Sequence, residues 1–215
     1  MIKFLHFLKK PIYNESFVRI EWSDFFILLG ALFLLEMPLS VMIKMLIKVL
    51  GLTSKHLPTP YLKRIILGLI IGPFFEELLM RLYLVFRKEK ILIILVTSLG
   101  LALYFFLREQ ELKVVIFTVM SLFFILILLN FSRCRLAFIK YYMHFFYFTA
   151  VVFGLLHISN FTGLTFMNFM WAPIIVIPQI IMGLFFGYIR VTYGFFYSTI
   201  FHSLVNIPIL FSFMI

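Results

Sequence analysis

"VVIFTVMSLFFILILL", residues 114–129, runs without a single charge. An outer-membrane barrel strand would alternate polar and apolar residues, and this run does not, so it reads as helix. A hydrocarbon core about 30 Å thick takes about 20 mainly apolar residues per helical crossing. "ILIILVTSLGLALYFF", residues 91–106, reads the same way. Both runs lack functional polarity and are expected to pack and to face lipid. The chain has 215 residues, 64% of them hydrophobic, with a mean hydropathy of +1.12. A soluble domain holds roughly 45–50% apolar residues, so that class is excluded. The expected fold is all-α: one polytopic transmembrane helical bundle over residues 1–215, with short loops and a polar intramembrane cavity.

Working outward, about seven spans are expected: residues 24–46, 62–86, 90–107, 113–132, 143–165, 171–190 and 194–215, with room for an eighth in the shorter segments. "MIKFLHFLKK", residues 1–10, has too short an apolar run for a secretory signal and no small-residue cleavage site, so the N-terminus is expected to be retained. The formal charge is +10, but the basic residues are scattered among loops, which argues against nucleic acid as a partner. Lys3, Lys9, Lys10, Arg19, Arg87, Lys88, Lys90, Arg133, Arg135, Lys140 and Arg190 fall on one side of such a bundle. Lys55, Lys63, Arg64, Arg108 and Lys113 fall on the other. That bias predicts a cytoplasmic N-terminus. The single cysteine, Cys134, excludes an intramolecular disulfide.

Against this background "PFFEELLMRLYL", residues 73–84, is the exception, because it sets Glu76, Glu77 and Arg81 at membrane depth. Insertion scales put a charge at the bilayer centre at about 2.5–3.5 kcal/mol, so such groups face the bundle interior or water. Glu77 and Arg81 are four apart with the acid first, the better order for an ion pair within a helix. Glu76 projects about 100° away from Glu77. One carboxylate can therefore be structural while the other points elsewhere.

The last third of the chain carries no Asp or Glu beyond Glu111 but does carry "FGLLHISN", residues 153–160, and "HSLVN", residues 202–206. Phe153 with His157, and His202 with Asn206, each share a helix face. A carboxylate and an imidazole can hold and deprotonate a water. A second imidazole and an amide can donate hydrogen bonds to the oxyanion formed when that water adds to a carbonyl. Singly, each pattern is commonplace. An i,i+4 acid–base pair is often a neutralised packing element, and a lone histidine in a membrane is often an interhelical hydrogen-bond partner. Their order and joint occurrence suit peptide hydrolysis without a protein nucleophile.

The order EExxxR ("EELLMR"), FxxxH ("FGLLH") and HxxxN ("HSLVN") resembles the CPBP family of intramembrane proteases, the CAAX protease and bacteriocin-processing, or Abi, family. "PQIIMGLFFGYIRVTYGFFYSTIFHSLVN", residues 178–206, is similar to the family's Gln, Gly, Arg and Gly arrangement before its last motif. The resemblance covers about residues 62–210. It implies a metal-independent glutamic endopeptidase in which Glu76, assisted by His157, activates water. Glu77, Arg81 and Phe153 would organise the site, and His202 with Asn206 would form the oxyanion hole. Gln179 and Gly183 would pack. No cofactor is implied, and the partners would be a peptide or membrane-associated polypeptide and the lipid bilayer. The implied location is a bacterial cytoplasmic membrane. For these groups to meet, the fifth span is set at 143–165, which centres His157 and leaves "SRCRLAFIKYYM", residues 132–143, as an interfacial segment.

Three alternatives stand beside this reading. In a zinc version Glu76, Glu77, His157 and His202 would be ligands, although no HExxH helix is present. In a catalytically silent scaffold or bacteriocin-immunity factor the same polar cluster would bind a partner. Transport would need polar groups at several depths, where this chain offers one cluster. Elsewhere, Glu36 and Pro38 suggest a kink in the first span or a cavity-facing acid, with the kink as the default, and Lys44 and Lys48 snorkel to headgroups. His6, His56 and His144 are expected at loops or an interface. Asn14 and Asn160 begin N-x-S/T triplets.

Overall fold

The computed structural model describes residues 1–55 and 60–212, with side chains described through Pro208; His56 and residues 213–215 lie outside the described residues. The fold is nearly all-α. The helices in chain order are α1 (Ile2–Lys9), α2 (Trp22–Val49), α3 (Tyr61–Ile66), α4 (Gly72–Arg81), α5 (Lys88–Phe106), α6 (Glu111–Leu129), α7 (Phe131–Lys140), α8 (Tyr142–Leu156), α9 (Phe166–Phe169), α10 (Ala172–Ile175), α11 (Ile177–Thr192) and α12 (Phe195–Ser212). A π-helical turn, Leu67–Ile71, joins α3 to α4. A 3-10 turn, His157–Asn160, closes α8.

Among the described residues, four helical segments are long and apolar enough to cross a membrane: Trp22–Val49, Lys88–Phe106, Glu111–Leu129 and Tyr142–Asn160. The other three expected crossings run through shorter or interrupted helices. The 62–86 segment is broken into α3, the π turn, α4 and a 3-10 turn at Leu82–Leu84. The 171–190 segment is divided between α10 and α11.

As expected, α5 and α6 form a hairpin whose outer face is apolar and exposed, with Leu92, Val96, Val115, Val119, Leu122 and Leu126 turned outward. Its inner seam is pinned by the hydroxyls of Ser98 and Ser121, 2.8 Å apart. Pairing the two hydroxyls meets the polar needs of both where water is scarce.

The interior is built around α11, most of whose second half is buried. Small residues let α8 approach it closely. A Cβ added at Gly183 would stand 3.1 Å from the Ala150 backbone, and one at Gly187 would stand 2.8 Å from the Phe146 ring. Without a hydrophobic drive between helices in lipid, such close approach is the main source of attraction. The packing role expected of Gly183 is the one it has. Glu36 is turned inward and buried, within a helix that continues through Pro38.

At one end of the bundle the irregular segment after α1 acts as a strap. The Tyr13 hydroxyl lies 2.9 Å from Glu15 Oε1, and Glu15 in turn meets Arg135 Nη2 at 2.5 Å and Arg87 Nε at 3.5 Å. Val18 N–H donates to the Thr192 carbonyl at 2.8 Å. At the other end β1 (Thr53–Ser54) pairs antiparallel with β2 (Phe161–Thr162), the only ladder among the described residues and one the sequence did not suggest. It ties the loop after α2 to the loop after His157.

Candidate active site

The site begins with a defect in the helix that carries its acids. Gly72 N–H donates to the Leu67 carbonyl, five residues back, which is the π pattern. Pro73 has no N–H to give. The Gly68 carbonyl thus loses both its α donor and its π donor. Asn206 on α12 supplies the replacement, its Nδ2 donating to Gly68 O at 2.9 Å. Glycine is required at 72, because a Cβ there would stand 2.7 Å from the Leu67 carbonyl oxygen. From this turn α4 sets off and presents Glu76, Glu77 and Arg81 to the interior.

Glu77 and Arg81 are both fully buried, and Arg81 Nη1 donates to Glu77 Oε1. The Ser198 hydroxyl lies 2.6 Å from Glu77 Oε2 and 2.9 Å from the Phe186 carbonyl. His202 Nδ1 lies 3.1 Å from Glu77 Oε1. The guanidinium is held between rings, with Arg81 Cζ 4.1 Å from the Phe153 centroid and 5.1 Å from that of Phe186. Phe186 also stacks on His202 at 4.3 Å between centroids. A buried carboxylate is tolerable only when paired and hydrogen-bonded, and Glu77 has a cation, a hydroxyl and an imidazole.

That arrangement fixes the other nitrogen of His202. With Nδ1–H given to Glu77, the neutral ring carries its lone pair on Nε2, a tautomer assigned here from the bonding partners. Nε2 faces Glu76 Oε2 at 3.6 Å. Oε2 is itself buried and has no hydrogen-bond partner among the described residues, although the Glu76 side chain as a whole is 42% exposed. At 3.6 Å the two atoms are beyond direct hydrogen-bond distance, and a water beside them could donate to both.

His157 approaches from α8. Its Nδ1 lies 2.8 Å from the Phe153 carbonyl, which can only accept, so Nδ1 carries the proton and Nε2 the lone pair. Its ring lies 4.6 Å from that of Phe153. The Phe153 ring also lies 5.8 Å from that of His202, so the two imidazoles both neighbour one side chain.

The four positions that the sequence offered as catalytic, Glu76, His157, His202 and Asn206, are brought to one neighbourhood. His202, not His157, is the imidazole directly opposite Glu76. One N–H of the Asn206 amide is given to the Gly68 carbonyl at 2.9 Å; the NH2 group carries a second. His157 does not lie mid-span. It sits in the 3-10 turn that ends α8, because α8 begins at Tyr142, beside the expected 143, but ends at Leu156 and does not run on to 165. Ser198, Phe186 and the Gly68 carbonyl were missed; the sequence signal for the last is Gly72–Pro73 late in an apolar run. Among the described residues no group of three His, Cys, Asp or Glu side chains converges in a metal-holding arrangement. Comparison with known proteins returned no matching family, no matching curated protein and no matching solved structure.

Proposed function

We propose that the chain is a CPBP-type intramembrane endopeptidase, metal-independent, which hydrolyses a peptide bond near the C-terminus of, or within, a membrane-associated polypeptide. In this reading α3 to α4, α10 to α11 and α12 complete seven crossings with the four long spans. The site opens to a polar cavity, and the N-terminus is cytoplasmic in a bacterial membrane, in line with the distribution of Lys and Arg. The observation that carries the proposal is the unpartnered Glu76 Oε2 lying 3.6 Å from His202 Nε2, with Nδ1 of that histidine tied to a buried, neutralised Glu77.

A water seated between Glu76 and the two Nε2 lone pairs can give one proton to the carboxylate or an imidazole while its oxygen adds to the peptide carbonyl. The protonated ring is then an N–H donor to the oxyanion, and passes the proton to the leaving amine as the C–N bond breaks. Arg81 and Ser198 hold Glu77 charged, which keeps His202 in the tautomer that faces Glu76.

Glu76→Gln keeps the size and removes the base. Purified variant and wild type should unfold at the same temperature, while cleavage of membrane peptides, followed by comparing the peptides of wild-type and variant cells, is lost. Undiminished cleavage by the variant would refute the assignment.

A further inference from the structure

A second cluster of buried polar groups lies at the strap end, and catalysis makes no use of it. Arg190 on α11 is fully buried. Its Nη2 donates to the Leu82 carbonyl at 3.1 Å, but Nε and Nη1 have no partner among the described residues. The Tyr142 hydroxyl on α8 is also buried and without a partner among the described residues, and its ring packs 5.3 Å from that of Tyr13 in the strap. Lys90, at the start of α5, is acted on by both Arg190 and Arg87. Lys90 Nζ and Arg190 Cζ lie 5.1 Å and 5.6 Å from the centroid of the same ring, Phe17 in the strap.

The charge balance is uneven. No carboxylate forms an ion pair with Arg190 among the described residues, and the buried Glu77 is already paired with Arg81 and hydrogen-bonded by Ser198 and His202. Of the two acids near Lys90, Glu89 is exposed to solvent and Glu15 is engaged by Arg135 at 2.5 Å and Arg87 at 3.5 Å. Of the two buried guanidiniums, Arg81 has a carboxylate partner and Arg190 has none among the described residues. A buried cation left without a counterion or full hydrogen bonding is strongly unfavourable. Water could satisfy the N–H groups but supplies no negative charge. What covers the cluster is thin, since Phe17 is 44% exposed.

We propose that Arg190, Tyr142 and Lys90 form a binding site for one phosphate-type oxyanion, either a phospholipid head group or free phosphate, seated where the Phe17 ring now rests. Arg190 offers the unused Nε and Nη1 donors, Tyr142 its hydroxyl, and Lys90 a second positive charge; a charge-assisted set of this kind is a strong oxyanion site. The position suits either source, because these groups lie at the end of the bundle where Arg87 and Arg135 also gather around the strap. The proposal does not depend on the peptidase reading.

The full chain in neutral detergent is titrated with inorganic phosphate at constant ionic strength held with chloride, and its unfolding temperature followed. Binding to the folded state raises that temperature saturably. Tyr142→Phe and Lys90→Gln, which leave Arg190 in place, should each weaken the apparent affinity by about tenfold or more, the scale of a lost hydrogen bond to a charged group. Arg190→Gln, if it folds, should unfold at a temperature independent of phosphate. Native mass spectrometry after incubation with phosphatidylglycerol assigns the source: one retained lipid that added phosphate displaces identifies the head group, whereas phosphate stabilisation with no retained lipid identifies the free ion. The proposal is overturned if neither anion binds saturably, or if Tyr142→Phe and Lys90→Gln respond as the wild type does.

Discussion

Asn206 Nδ2 reaches across from α12 to the Gly68 carbonyl at 2.9 Å and supplies the hydrogen bond that Pro73 cannot. The acids of α4 follow directly from this turn, so the bond helps to set where Glu76 and Glu77 point. Asn206→Asp, at neutral pH, puts an acceptor against an acceptor. Leaving the carbonyl unsatisfied should cost about 1–3 kcal/mol. A fall in thermal unfolding temperature together with lost cleavage is the expected pair of results, and a variant as stable as the wild type would contradict this role.

Gly72→Ala tests the same turn from the other side. The added methyl would lie 2.7 Å from a backbone oxygen, which cannot swing away as a side chain could. The π turn should convert to α geometry, which moves Glu76 relative to His202. Overpacking of this sort typically costs about 1–3 kcal/mol. Cleavage should drop further than stability does, measured by assaying both on one preparation.

The buried pair Glu77 and Arg81 should behave as a unit. Either Glu77→Gln or Arg81→Gln alone strands a buried charge, with an expected loss of about 3–5 kcal/mol. The double variant should recover part of that loss, and a double-mutant cycle by unfolding in detergent would show it. Strict additivity of the two losses would mean that the pair is not coupled.

Glu15 gives the strap a pH dependence. The Arg135 guanidinium, aided by the Tyr13 hydroxyl, holds the Glu15 carboxyl below the usual carboxylate range. A depressed folded-state value means that the strap is stabilised at all pH above the ordinary carboxylate range and loses this contribution as pH falls through the lowered value. Hydrogen exchange in residues 12–18 should therefore show opening free energies that decline only in strong acid, and Glu15→Gln should remove the decline.

Much of the site was legible because its signals are local. The i,i+4 spacing of Glu77 and Arg81 gives an ion pair wherever the helix is buried, and the polarity of 73–84 against its surroundings marks it as interior. Charge-free stretches such as 114–129 told equally well which faces meet lipid. What the sequence hid were relations between segments. Nothing near Ser198 reveals that its hydroxyl meets Glu77, since that depends on how α12 crosses α4. The Gly72–Pro73 step could have warned of a carbonyl without a donor, but not that Asn206 would satisfy it. His157 was expected mid-helix because a membrane span was assumed to be centred on its polar residue, whereas the helix stops at Leu156 and the chain turns at that histidine.

The short ladder joining Thr53 to Thr162 has a bearing on movement. His157 stands a few residues before β2, and the chain that leads to the π turn begins a few residues after β1. A displacement of the segment after α2 is therefore handed through Thr162 and Phe161 to the turn that carries His157.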